Sequence, residues 1–155
     1  MKKMSNYSCN KKLDETRTAK VFGRHLNISP KHAVEISREI KGMKLADAKT
    51  YLESVVEKKQ AVAFRKYNKK VGHKTGLRGW DAGRYPVKAS KNFIKLLNEL
   101  QANAEYKGLD SNNLRIIHAS SYKGRIIAGW VPRAYGRASP YNHVLTNVEI
   151  IVEER

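Results

Sequence analysis

Five histidines, at positions 25, 32, 73, 118 and 143, are the side chains here best suited to proton transfer or metal ligation near neutral pH. None stands in the His-Glu-x-x-His spacing that sets two imidazoles on one helix face for zinc. No carboxylate follows one at a catalytic spacing, so they read as structural groups or phosphate contacts. Ser120-x-x-Lys123 and Lys74-Thr75-Gly76 resemble two motifs of penicillin-recognising enzymes, but in the wrong order and without the third. Gly72, Gly76 and Gly79 lack the Gly-Lys-Ser/Thr ending of a phosphate loop. The carboxylates fall mostly on stretches of helical periodicity, where they balance Lys and Arg, and no acid–base pair emerges. One cysteine, Cys9, rules out an intramolecular disulfide framework and any multi-cysteine zinc site. No enzyme, metal or cofactor is expected.

A different chemistry is written in the basic residues and the aromatics between them. The 155-residue chain has 31 Lys+Arg against 14 Asp+Glu, a net charge of +17. The excess is concentrated. Residues 58–91 hold 11 Lys and Arg, and Asp81 is their only acid. Among the 11 are Lys58, Arg65, Lys66, Lys69, Lys70, Lys74, Arg78, Arg84 and Lys88, interleaved with Phe64, Tyr67, Trp80 and Tyr85. From Arg115 to His143 run Arg115, Lys123, Arg125, Arg133 and Arg137 with no acidic residue, among Tyr122, Trp130, Tyr135 and Tyr141. Cations neutralise phosphate, and aromatic rings stack on unpaired bases. Phe64 and Tyr85 serve equally well to close a core. Trp130 and Tyr135, flanked by Gly and Pro, have no core to join.

A polyanion partner follows from a pI near 10.1 on a folding chain. A membrane-surface protein would carry its charge on an amphipathic helix. Here residues 26–57 carry five basic and five acidic residues, and 92–113 are close to neutral too, so the charge sits in connecting segments. No apolar run approaches the roughly 18–20 residues of a membrane helix. The start, Met1-Lys2-Lys3-Met4-Ser5-Asn6, has no apolar stretch of a secretory leader.

These residues must be positioned by a small set of elements. Residues 1–16 read as a flexible basic arm. Val21, Phe22, Leu26 and Ile28 mark an edge strand within 17–28. Ser29-Pro30 starts a helix, with Ser29 able to cap the amides; Ala33, Ile36 and Ile40 form its stripe, and Gly42 stops it. A second helix spans about 44–59, with Leu45, Ala48, Leu52, Val55 and Val56 on one face. Residues 65–85 break the period and form a long basic loop, functional or unstructured by its length. A third helix starts at Pro86, buries Phe93, Leu96, Leu97, Leu100 and Ala104, and ends at Gly108. Leu114–Tyr122 and Leu145–Val152 are rich in β-branched residues and read as strands that pair as a long hairpin. Its outer half lacks apolar residues to pack on a body, so its order must come from what it binds.

The run Val131-Pro132-Arg133-Ala134-Tyr135-Gly136-Arg137-Ala138-Ser139-Pro140-Tyr141 resembles the hairpin-tip motif of the universal large-subunit ribosomal protein L twenty-two family, called L seventeen in eukaryotes. Gly83-Arg84-Tyr85-Pro86-Val87-Lys88-Ala89-Ser90 and Ala102-Asn103-Ala104-Glu105 with Lys107-Gly108-Leu109-Asp110 resemble it too, as do Ser29-Pro30-Lys31-His32-Ala33, Ile40-Lys41-Gly42-Met43 and Tyr51-Leu52. The likeness covers roughly residues 17–153, and the insert at 62–85 resembles the archaeal and eukaryotic branch.

The resemblance implies an α+β fold: three helices packed on a three-stranded antiparallel sheet, with a long extended β-hairpin at about 119–144. With the loop 62–85 it makes a single domain over 17–155. It implies a cytoplasmic, non-enzymatic constituent of the large ribosomal subunit that binds ribosomal RNA, supports assembly and lines the peptide exit tunnel. The implied partners are large-subunit ribosomal RNA, neighbouring ribosomal proteins and, at the tip, the nascent polypeptide, with no membrane insertion. The basic residues singled out above in 58–91, with Trp80, Lys123, Arg125, Arg133, Arg137 and Tyr141, are the expected RNA contacts. Gly129, Trp130, Val131, Pro132, Arg133, Ala134, Tyr135 and Gly136 are the expected tunnel-lining tip; Trp130 departs from the smaller or aliphatic residue expected there. The competing classes are a free RNA- or DNA-binding regulator, and an RNA-modifying enzyme, for which the sequence offers no candidate pocket.

Overall fold

The computed structural model describes residues 13–154. Cys9 and most of the arm expected over 1–16 lie outside the described residues. Strand β1 (Thr18–Leu26) leads into α1 (Pro30–Ile40) and α2 (Leu45–Val56), and two short strands, β2 (Val62–Ala63) and β3 (Gly83–Arg84), frame the basic loop. Helix α3 (Val87–Tyr106) follows, then a 3-10 turn, β4 (Leu114–Ile127), β5 (Trp130–Pro132), β6 (Ala138–Pro140) and β7 (His143–Glu154).

The helices form where apolar residues recur on one face. Ala33, Ile36 and Ile40 of α1, Leu45, Ala48, Leu52 and Val55 of α2, and Phe93, Leu96, Leu97, Leu100 and Ala104 of α3 are all buried. Pro30 occupies the first turn of α1, where its missing N–H costs nothing. Ser29 precedes it, but its hydroxyl makes no capping bond; its carbonyl accepts the Ala33 N–H instead. Pro86 is the residue before α3 rather than its first member.

The three-stranded sheet runs β1-β7-β4, antiparallel throughout, so the last strand is central. Helix α1 lies against β4 and β7, α3 against β1, and α2 packs mainly on α3. On β7, Val148, Ile150 and Val152 join the core with the helices. Glu149 and Ile151 alternate onto the opposite face and are buried as well. The link between α1 and α2 adds to the sheet edge: Gly42 donates to the Ile116 carbonyl and Ile116 to that of Met43.

Strand β4 is longer than the Leu114–Tyr122 run of its β-branched residues. Its pairing with β7 continues to Ile127↔His143, and β5 then pairs with β6 from Trp130↔Pro140 to Pro132↔Ala138. Two irregularities, between Ile116 and His118 and between Lys123 and Ile126, each give β4 one residue more than β7. The first changes which parity faces inward: Leu114 and Ile116 are buried before it, Ala119 after it.

Candidate nucleic-acid interface

Residues 62–84 are a built structure, not a structureless loop. β2 and β3 pair at its neck through Val62↔Arg84 and Ala63↔Gly83. Phe64 N–H donates to the Ala82 carbonyl at 2.9 Å, Lys74 N–H to that of Asp81 at 2.8 Å, and Gly83 N–H to that of Gly72 at 3.2 Å. Phe64 is buried in the core, and Tyr85 is half-buried. The Trp80 indole N–H donates to the Phe64 carbonyl at 2.9 Å, so the ring edge braces the loop.

A buried carboxylate ties the start of the loop to the first helix. Glu35, on α1, is 1% exposed. Its carboxylate accepts three successive backbone N–H groups: Arg65 at 3.2 Å, Lys66 at 2.9 Å and Tyr67 at 2.8 Å. Hydrogen bonds to an ionised acceptor contribute about 1.5–3 kcal/mol each, more than neutral ones. Glu35 therefore does not balance a surface cation, as its place on a helix implied; it fixes the backbone from which two expected RNA contacts, Arg65 and Lys66, project with Tyr67.

The loop cations lie over aromatic rings. Arg65 sits 6.0 Å from the Trp80 ring centre, Lys74 5.7 Å from Tyr85, Lys66 5.7 Å from Tyr67 and Arg84 6.0 Å from Phe64. The Arg84 guanidinium also donates to the Lys70 carbonyl at 3.2 Å. His32 meets Phe64 edge-on at 5.4 Å. Burial pushes its imidazole below the usual 6.5, and the nearby Arg84 charge pushes it the same way.

Three adjoining cavities of about 340, 580 and 320 Å³ run between α1, the start of the loop and β4. Lys66 borders all three. Tyr67 borders the first two and Ser121 the last two. Among the described residues, no Asp or Glu lines any of them. The Ser37 and Ser121 hydroxyls at the far end are buried and have no hydrogen-bond partner among the described residues. An unmet buried hydroxyl costs about 1–3 kcal/mol.

The structure gathers some of the expected RNA contacts and scatters others. Lys66, Lys69 and Arg84 meet around the first cavity, and Lys123 reaches the middle one. Lys58 follows α2 and Lys88 opens α3; both are exposed and neither lines these cavities. Arg78 is exposed on the outer part of the loop. Arg125, Arg133, Arg137 and Tyr141 are exposed along the paired strands beyond Lys123. There the Arg133 N–H donates to the Arg137 carbonyl at 2.8 Å. Tyr135 and Gly136 between them both take positive φ, 60° and 65°, as a tight primed turn requires. Tyr135 is 96% exposed and Trp130 68%. Gly129 lets the strands close, since a Cβ there would meet the Tyr141 carbonyl oxygen at 2.6 Å.

Several contributors escaped the sequence reading. Lys31, Val34 and Arg38 border the cavities at offsets 0, 3 and 7, one stripe of α1, and Lys41 joins them just past its end. Their spacing is helical, but residues 26–57 are neutral overall, so the charge excess marks the loops and not this stripe. On the other face of the sheet, Glu149 accepts the Ser120 hydroxyl at 2.9 Å and lies 2.8 Å from His118 Nε2. No spacing in the sequence announces that cluster.

The chain is similar over its length to known proteins. A family model described as ribosomal protein L22p/L17e matches residues 21–153. The large ribosomal subunit protein uL22 of Methanopyrus kandleri is 55% identical over 144 residues, 92% of this chain and 91% of its own. Its counterpart in Methanocella arvoryzae is 50% identical over 151 residues, 97% and 99% of the two chains. That of Archaeoglobus fulgidus is 54% identical over 142 residues, 92% of each.

Proposed function

Because this chain belongs to the ribosomal protein L22p/L17e family and is a non-enzymatic structural constituent of the large ribosomal subunit, we propose that it binds large-subunit ribosomal RNA through its loop and its paired strands. The observation that carries this is the loop 62–84: an acid-poor, cation-rich segment held in shape by a buried carboxylate before any ligand is present. Ordering entropy is then spent on folding, and binding energy goes into contacts with phosphate.

The RNA-facing set is Lys58, Arg65, Lys66, Lys69, Lys70, Lys74, Arg78, Trp80, Arg84 and Lys88, with Lys123, Arg125, Arg133, Arg137 and Tyr141 on the paired strands. Residues 129–136 form the tip that lines the exit tunnel and meets the nascent chain. Exposure of Trp130 and Tyr135, two large rings left mostly uncovered by the described residues, supports that role. Residues 17–155 act as one α+β domain in the cytoplasmic ribosome, beside neighbouring ribosomal proteins. A core cluster running from Ala19 to Val152 supports that unity.

Sedimentation of a tagged chain from cell lysate tests the assignment. Co-migration with large subunits, and retention on large-subunit ribosomal RNA after protein partners are stripped, is expected. A chain that stays at the top of the gradient is a free regulator instead.

A further inference from the structure

We propose that the acid-free groove between α1, the loop start and β4 holds a short unpaired strand of RNA, with a base stacked on Tyr67 and a phosphate on Arg38, Lys41 and the Ser37 and Ser121 hydroxyls. This rests on the ribosomal-RNA function and adds the form of RNA recognised and the residues that recognise it.

Three observations converge on this groove. The cavities adjoin one another and share Lys66 throughout, so they accommodate a continuous chain rather than isolated ions. Tyr67 packs one side on the core and remains half-exposed, with the Lys31 and Lys66 ammonium groups 5.8 and 5.7 Å from its ring centre. Both ammonium groups lie over the ring on flexible stems, so a base that stacks on it displaces them onto its own phosphates. At the far end, Ser37 and Ser121 leave two buried hydroxyls unmatched beside Arg38, Lys41 and Lys66. Folding normally satisfies such groups, and a rotation of either short side chain about χ1 turns its hydroxyl toward a phosphate or ribose hydroxyl in the groove. A duplex is the wrong ligand, because its bases stay stacked inside and leave a concave ring nothing to stack on.

The platform is also fixed in advance. The Tyr67 N–H is one of the three held by Glu35, so the ring's backbone is set in the free protein.

Equilibrium binding of the full chain to a labelled single-stranded RNA dodecamer, a blunt duplex of equal length and large-subunit ribosomal RNA tests the assignment. Tyr67→Leu should weaken single-strand binding by about 5- to 150-fold, the range for loss of one stacked base, and leave the duplex unaffected. Tyr67→Phe should bind like the wild type, because stacking needs the ring and not the hydroxyl. The double variant Ser37→Ala, Ser121→Ala should unfold no earlier than the wild type yet bind the single strand at least about tenfold more weakly. If both groove variants bind the single strand as the wild type does while all bind the ribosomal RNA, the groove assignment falls and the ribosomal function stands. An equal loss on single strand and duplex also overturns it, since that marks a general charge effect. If the wild type binds no RNA, both fall.

Discussion

Glu35 Oε1 accepts the backbone N–H of Lys66 at 2.9 Å across 31 positions of sequence, and so joins the first helix to the start of the basic loop. Glu35→Gln keeps the shape but replaces one acceptor oxygen by an NH₂ facing N–H donors. The cost should be about 1–3 kcal/mol. For a chain of this size Tm should fall by about 2–12 °C. Hydrogen exchange should show the loss first at the amides of Arg65, Lys66 and Tyr67. Unchanged protection there would show that β2 and β3 alone hold the loop.

The loop's charge sets how binding responds to salt. Replacing Arg65, Lys66, Lys69 and Lys70 together by Ala should reduce the slope of log affinity against log salt by up to about 3.6 on duplex or about 2.8 on single strands. An unchanged slope with ribosomal RNA would remove this loop from the anchoring surface.

His32 makes stability pH-dependent in a defined direction. Burial and Arg84 lower its folded pKa, so the unfolded chain takes up a proton first as pH falls. The contribution is present in full above about 6.5, shrinks as pH drops below that value and levels off below the folded pKa. Thermal unfolding from about pH 8 to about pH 5 should show the wild type losing more stability than His32→Gln. Parallel curves would mean that the imidazole titrates as it does in water.

At the tip, Arg133 and Arg137 are joined backbone to backbone while both side chains are exposed. Among the described residues neither cation has a carboxylate partner to offset desolvation, so each stays in water unless a phosphate meets it. If the paired strands are set in ribosomal RNA as proposed, subunit assembly should be impaired more by Arg137→Ala, on the side returning to the body, than by Arg133→Ala. Normal assembly with both variants would place both in the tunnel lumen, and a larger defect for Arg133→Ala would reverse their roles.

Much of the body was legible because its signals are periodic. Phe93, Leu96, Leu97, Leu100 and Ala104 announce α3 by spacing alone, and all are buried. The β-branched runs at 114–122 and 145–152 announce the two long strands, though not that the second is central. What stayed hidden depends on contacts between distant residues. Glu35 looks like any solvated helix acid until the chain returns at Arg65. Glu149 breaks an apolar strand without revealing that Ser120 and His118 meet it. The cations were individually readable, whereas the concavity between Lys31, Lys66 and Ser121 exists only once three elements pack.

The extra residue between Lys123 and Ile126 turns the outer strands into a lever. From Ile126 to Arg133 the chain advances about 24 Å at roughly 3.4 Å per residue. A hinge of about 10° at this bulge swings the far end through about 4 Å, on the order of one strand spacing. Residue count on one strand thus aims the tip, and the aim is independent of which side chains the tip carries. Deleting one residue at 124 or 125 would leave every tip residue intact and still point them elsewhere.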